Sequence, residues 1–71
     1  MNEYFLREMV LKYAQHRLQC QYYKTKEQQM QEADPLNNEG IAILAEVSKS
    51  HLCMAEELLN LICSYATEHS K

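Results

Sequence analysis

The chain has 71 residues, a formal net charge of −3 and a hydrophobic share of 46%. A chain of about 60 residues buries only about 60% of the surface that it exposes when unfolded, so this one needs a further source of stability. The hydrophobic share is too high for a disordered tail. The acidic balance, with no block of like charge, argues against nonspecific nucleic-acid binding. We therefore expect a single domain over residues 1–71.

The N-terminus predicts neither secretion nor membrane insertion. It begins Met-Asn-Glu, without a basic region or a continuous apolar stretch. No stretch of the chain reaches 18 apolar residues, the length that a membrane span needs. The three cysteines, Cys20, Cys53 and Cys63, are an odd number without Cys-x-x-Cys spacing. The sequence thus predicts a reduced, cytoplasmic chain.

Residues that break helices are scarce, because the chain has one glycine, Gly40, and one proline, Pro35. Two long uninterrupted stretches remain, with little room for the turns of a β-sheet. The sequence therefore predicts an all-α fold, an antiparallel two-helix hairpin that completes its core by association with another chain. The predicted boundaries are a helix over about 2–32, a turn over about 33–39 and a helix over about 40–67.

The turn offers two starts for the second helix. Pro35 disfavours helical geometry at Asp34, so the first helix must end by Ala33. Asp34 could cap the second helix directly, or Asn37 or Asn38 could cap it after a true loop. We favour the later start, because two long helices need several residues to reverse direction.

The first helix carries two groups of apolar residues and then loses its pattern. After Tyr23 only Met30 is apolar up to Glu32, so this glutamine-rich end has little to bury and is predicted to fray or to bridge solvent. The predicted inner face is Leu6, Met9, Val10, Tyr13, Ala14 and Cys20, and a strip next to it is Tyr4, Leu11, Leu18 and Tyr22.

The second helix carries two apolar seams side by side, which together span roughly 200° of its surface, whereas a surface helix needs one stripe of about 100°. One seam can pack on the first helix. The other is predicted to need a partner that a chain of 71 residues does not supply. The first seam is Leu44, Val47, His51, Met54, Leu58, Leu61 and Tyr65, and the second is Ile41, Ala45, Ser48, Leu52, Ala55, Leu59, Ile62 and Ala66.

A zinc site is the metal hypothesis that the sequence offers. His16 and Cys20 lie four residues apart, and antiparallel pairing of positions that sum to about 73 would bring Cys53 opposite Cys20. His51 would then lie nearby. However, Cys53 falls on the polar side of the second helix, and structural zinc sites use closely paired ligands. We therefore predict no metal and no cofactor, and thiols that are not paired.

His51 interrupts the first seam with a polar ring. We expect this imidazole to be half-buried and hydrogen-bonded to Tyr22 or to another neighbour across the hairpin. One polar residue in an apolar seam can fix register or partner choice. A pH-sensitive switch is the other functional interpretation.

The chain lacks the features that catalysis needs. It has no glycine-rich loop and no Ser-His-Asp or Cys-His arrangement on a rigid turn, and two helices alone enclose no deep pocket. We predict that the protein is not an enzyme. We predict instead a protein-interaction module, an adaptor or co-chaperone that binds a helical partner through the apolar face of its second helix.

The alternative function is a homodimeric four-helix-bundle regulator that binds RNA or inhibits a transcription factor or kinase. An RNA-binding version would need a basic face, and the basic residues of the first helix do not lie along one stripe. Nucleic acid is therefore an unlikely partner. The predicted partner-binding residues are Leu11, Leu18, Tyr22, Leu44, Val47, His51, Leu52, Met54, Leu58, Leu61, Ile62 and Tyr65.

The chain resembles the small co-chaperones of type III secretion needle subunits. The similarity lies in the length, in the two long arms and in the glutamine-rich end of the first arm before the Asp34-Pro35 turn. It extends to the apolar last arm, Met54-Ala55-Glu56-Glu57-Leu58-Leu59-Asn60-Leu61-Ile62. The resemblance implies that the protein pairs with a larger helical-repeat chaperone and that the two hold a needle subunit unpolymerised before export.

Overall fold

The computed structural model describes residues 3–68, and in them the chain forms two α-helices joined by a short loop. Helix α1 spans Glu3–Ala33 and helix α2 spans Asn38–Glu68. Each has 31 residues, and so a length of about 46 Å. The helices pack antiparallel in a hairpin 55 Å long. The predicted all-α hairpin is thereby confirmed.

The helix boundaries differ from the predicted ones by one or two residues. Helix α2 begins at Asn38 rather than at Gly40. Helix α1 continues to Ala33, so the glutamine-rich end that was expected to fray is helical in this structure. The predicted first helical residue, Asn2, lies outside the described residues.

The loop reverses the chain in four residues and caps the second helix. The backbone N–H of Asn37 donates to the carbonyl of Asp34 at 3.1 Å, which closes the turn. The Oδ1 atom of Asn37 accepts a hydrogen bond from the backbone N–H of Gly40 at 3.0 Å. A side-chain oxygen that accepts from the N–H three residues later is an N-cap, so Asn37 caps α2 and the later predicted start is correct.

Gly40 makes room for the contact between the two helix ends. A Cβ atom at this position would lie 2.8 Å from Sδ of Met30 and 2.9 Å from Nδ2 of Asn37. The missing side chain therefore allows Met30 to approach the first turn of α2 while Asn37 keeps its capping position.

Each helix faces the other through an unbroken series of residues spaced by three and four. All sixteen are buried or half-buried, and the spacing is that of a coiled-coil seam. We call these series the interior lines. The interior line of α1 is Leu6, Met9, Tyr13, His16, Cys20, Tyr23, Glu27 and Met30, and that of α2 is Ile41, Leu44, Ser48, His51, Ala55, Leu58, Ile62 and Tyr65.

The interior line of α2 takes alternate members of both predicted seams. Leu44, His51, Leu58 and Tyr65 come from the first seam, and the others come from the second. The expectation that one whole seam packs on α1 while the other stays uncovered is therefore wrong. Helix α1 lies over the boundary between the seams, because that position lets both helices use the same three-and-four spacing. The remaining members of each seam lie along one side of the hairpin.

Two helices bury little in this arrangement. Among residues 3–68, the buried apolar side chains are those of Met9 and Ala55, and no large side chain is fully buried. Leu18 is 71% exposed and Leu61 is 57% exposed. The hairpin has a contact seam rather than a closed core, because most residues of the interior lines are only half-buried.

Candidate protein-docking surface

The middle of the hairpin contains a polar contact between two histidines on the interior lines. The Nδ1 atoms of His16 and His51 lie 2.9 Å apart. One ring therefore donates from Nδ1, and the other accepts there and carries its own proton on Nε2. Tyr23 stacks on His51 with ring centroids 5.8 Å apart and planes 6° apart. His51 thus bonds a neighbour across the hairpin, as predicted, although that neighbour is His16 and not Tyr22.

A second polar contact fixes the register of the two helices. The Ser48 hydroxyl donates to the backbone carbonyl of Cys20 at 3.0 Å, and its Oγ lies 3.4 Å from the Cys20 thiol. Facing positions therefore sum to 67 at the histidine pair and to 68 here. The sum of about 73 considered above is wrong, because Cys20 faces Ser48, which lies five residues nearer the loop than Cys53.

This register removes the zinc hypothesis built on Cys20 and Cys53. Cys20 faces Ser48, while Cys53 lies exposed on the outer surface of α2. Cys20, Cys53 and Cys63 are all free thiols. Within residues 3–68, no three His, Cys, Asp or Glu side chains are placed to hold a metal ion.

Three grooves follow one another along the same side of the hairpin, which we call the grooved side. The groove near the loop has a volume of about 470 Å³, the middle one about 250 Å³ and the one near the helix termini about 220 Å³. They are lined by Tyr22, Tyr23, Met30 and Leu44 near the loop, by Lys12, His16, Met54, Glu57, Leu58 and Leu61 in the middle, and by Phe5, Met9, Leu61 and Tyr65 near the termini.

The rims of the grooved side differ in charge. Helix α1 contributes Lys12 to the middle groove and Lys26 to the groove near the loop. Helix α2 contributes Glu57 to the middle groove and Glu68 to the groove near the termini. The Nζ atom of Lys26 also lies 5.4 Å from the ring centroid of Tyr22. The rim of α1 thus carries two lysines and the rim of α2 carries two glutamates, and the floor between them is largely apolar. Asp34 of the loop adds one carboxylate to the groove near the loop.

Most of the predicted partner-binding residues lie on the grooved side. The first seam of α2 lines it completely, since alternate members form its floor and the rest its rim. Tyr22 lies at the edge of the groove near the loop. The floor residues are Leu44, His51, Leu58 and Tyr65, and the rim residues are Val47, Met54 and Leu61.

The other predicted residues lie elsewhere. Ile62 is on the interior line of α2, and Leu52 is half-buried on the side of the hairpin opposite the grooves. Leu11 and Leu18 are 52% and 71% exposed on the outer face of α1, which points away from α2. The predicted strip of α1 is therefore not continuous with the inner face. Its members Leu11 and Leu18 are seven residues apart, so they lie on the same face of α1, and that face is opposite the interior line.

Several residues of the grooved side were not predicted. Phe5 lies 6.5 Å from Tyr65, centroid to centroid, and is 47% exposed. His16 and Tyr23 were not assigned to the inner face of α1, although they continue the spacing of Met9 and Cys20. A search of the sequence for positions spaced by three and four, with polar residues counted as well as apolar ones, would have found both.

No helix within residues 3–68 is long and apolar enough to cross a membrane. The basic residues of α1 are divided between the sides of the hairpin, with Lys12 and Lys26 on the grooved side and Arg17 and Lys24 on the other.

The chain was also compared with known proteins. No family model matches it, and it matches neither a curated protein nor a solved structure.

Proposed function

We propose that this protein is a small cytoplasmic protein-interaction module, an adaptor or co-chaperone that completes its core by binding another helical chain. The docking surface is the grooved side, and α2 supplies most of it through the apolar members of its first seam. The protein has no catalytic role in this proposal.

The thin core of the hairpin is the observation that carries the proposal. No large side chain in residues 3–68 is fully buried, while Met54, Leu59 and Leu61 of α2 are 43%, 41% and 57% exposed. Burying apolar surface stabilises a protein by about 25 cal/mol per Å². A helix laid along the grooves would bury Met54 and Leu61 and also the floor residues beneath them.

The shape of the grooved side favours a helical ligand. The three grooves run parallel to the hairpin axis, from Phe5 near the termini to Met30 near the loop. The 25 steps from Phe5 to Met30 along α1 extend over about 38 Å at 1.5 Å per residue. An amphipathic helix presents its apolar residues along such a line. The resemblance to type III secretion co-chaperones supports the same type of partner.

Site-specific photo-crosslinking in living cells tests the proposal. A photoreactive amino acid replaces Met54 or Leu61 on the rim, or Cys53 or Asn60 on the outer face of α2 as matched controls. We expect crosslinks to one defined chain from positions 54 and 61 and none from 53 and 60. Equal crosslinking from all four positions, or none from any, would contradict the proposal.

A further inference from the structure

We propose that the chain occupying the grooved side is a second copy of this protein, arranged about a twofold axis parallel to the hairpin. This inference rests on the proposed function, because it names the occupant of the same docking surface, and a second copy there takes the place of the larger chaperone that the resemblance implies. In this arrangement α1 of each copy lies over α2 of the other, and the two loops lie at the same end of a four-helix bundle.

The charges on the two rims select this occupant. The rim of α1 carries Lys12 and Lys26 and the rim of α2 carries Glu57 and Glu68, so a chain with one acidic and one basic helix in antiparallel order complements both rims. A second copy supplies this pattern. Because facing positions sum to 67 or 68, Lys12 lies level with residue 55 or 56, less than one turn from Glu57. The parallel twofold axis therefore brings Lys12 of each copy next to Glu57 of the other.

The same charges disfavour the other face-to-face arrangement. A twofold axis perpendicular to the hairpin would place α1 over α1 and exchange the two ends. Lys12 and Lys26 lie at similar distances on either side of the middle of α1, so Lys12 of one copy would meet Lys26 of the other. Like charges that face each other across an interface weaken association.

The apolar side chains fit the parallel axis as well. Phe5 of one copy lies level with residue 62 or 63 of the second copy, less than one turn from the second copy's Leu61. Ile43, which is 52% exposed, lies level with residue 24 or 25 and so reaches the groove near the loop. That groove, between Tyr22 and Met30, has a volume of about 470 Å³, ample for a branched side chain. The exposed residues of each copy thus meet the grooves of the other.

Charge reversal combined with sedimentation tests the arrangement. The wild-type chain is expected at twice its mass of 8.4 kDa, at micromolar concentration. Lys12→Glu and Glu57→Lys should each weaken self-association by roughly tenfold or more, because each places like charges together at two symmetric points. An equimolar mixture of the two variants should recover the mass of a dimer, since both charge pairs between the copies are then opposite again. Lys24→Glu and Glu46→Lys, outside the grooved side, serve as controls.

Circular dichroism of each variant establishes that the hairpin stays helical. A monomeric wild-type chain would overturn the second copy as occupant. Variants that dimerise like the wild type, or a mixture that stays monomeric, would overturn the arrangement on the grooved side. If residues 54 and 61 then crosslink to a different chain, the proposed function stands and only its partner changes. If they crosslink to nothing, both proposals fail.

Discussion

His16 and His51 meet Nδ1 to Nδ1 at 2.9 Å in the middle of the hairpin. Most of the other residues on the two interior lines have apolar side chains. A hydrogen bond at this point forms only when the two helices are in one register, since a shift of one residue turns each ring away from the other. Polar residues within an apolar seam commonly set register in this way.

The histidine pair predicts strong coupling between two substitutions. His16→Leu or His51→Leu alone leaves a half-buried imidazole without its partner, which costs about 1–3 kcal/mol. The double variant leaves no such ring, so its free energy of unfolding should exceed the value expected from adding the two single changes. Denaturant unfolding followed by circular dichroism, at one fixed protein concentration, measures the cycle. Additivity within about 0.5 kcal/mol would show that the two rings do not interact.

Ala55 is completely covered where the two helices pack together. Its exposure is 0%, and the register places it level with Tyr13. Ala55→Leu adds volume where none is free and should lower the free energy of unfolding by about 1–3 kcal/mol. Ala42→Leu makes the same change at an exposed position of α2 and should have little effect. Equal stability of the two variants in a thermal melt would refute the close contact.

Asn37 caps α2 through its hydrogen bond to the N–H of Gly40. Asn37→Ala should destabilise the hairpin by about 1 kcal/mol, the usual effect of removing such a cap. Asn38 lies one residue further, inside the helix, and Asn38→Ala is the matched control with an expected change near zero. A larger loss for Asn38→Ala than for Asn37→Ala in the same unfolding experiment would show that α2 starts elsewhere.

Leu58 and Leu61 separate the stability of the hairpin from its association. Leu58 is half-buried on the interior line, so Leu58→Asp should cost several kcal/mol and reduce helicity through lost burial and desolvation of the carboxylate. Leu61 is 57% exposed on the rim. We expect Leu61→Asp to leave the helicity of the hairpin close to that of the wild type but to weaken binding at the grooved side. Circular dichroism and sedimentation report the two effects. Unchanged association of Leu61→Asp would count against the docking surface.

Much of the fold follows from local properties of the chain. The scarcity of glycine and proline allows two long helices, and Pro35 sets the end of the first one. The later start of α2 is favoured because two long helices need several residues to reverse direction, and the structure shows Asn37 as the cap. These features depend on a few neighbouring residues, so sequence alone is enough to predict them.

The position of the docking surface could not be predicted from the local sequence pattern of either helix. The sequence by itself determined that α2 has more apolar surface than one stripe can use. Only the tertiary structure decided that α1 lies over the boundary between the two seams. That position depends on the register of both helices at once, which the His16–His51 and Cys20–Ser48 contacts fix across 35 and 28 residues of chain. Helical periodicity acts within each helix and carries no information about the alignment of one helix against another.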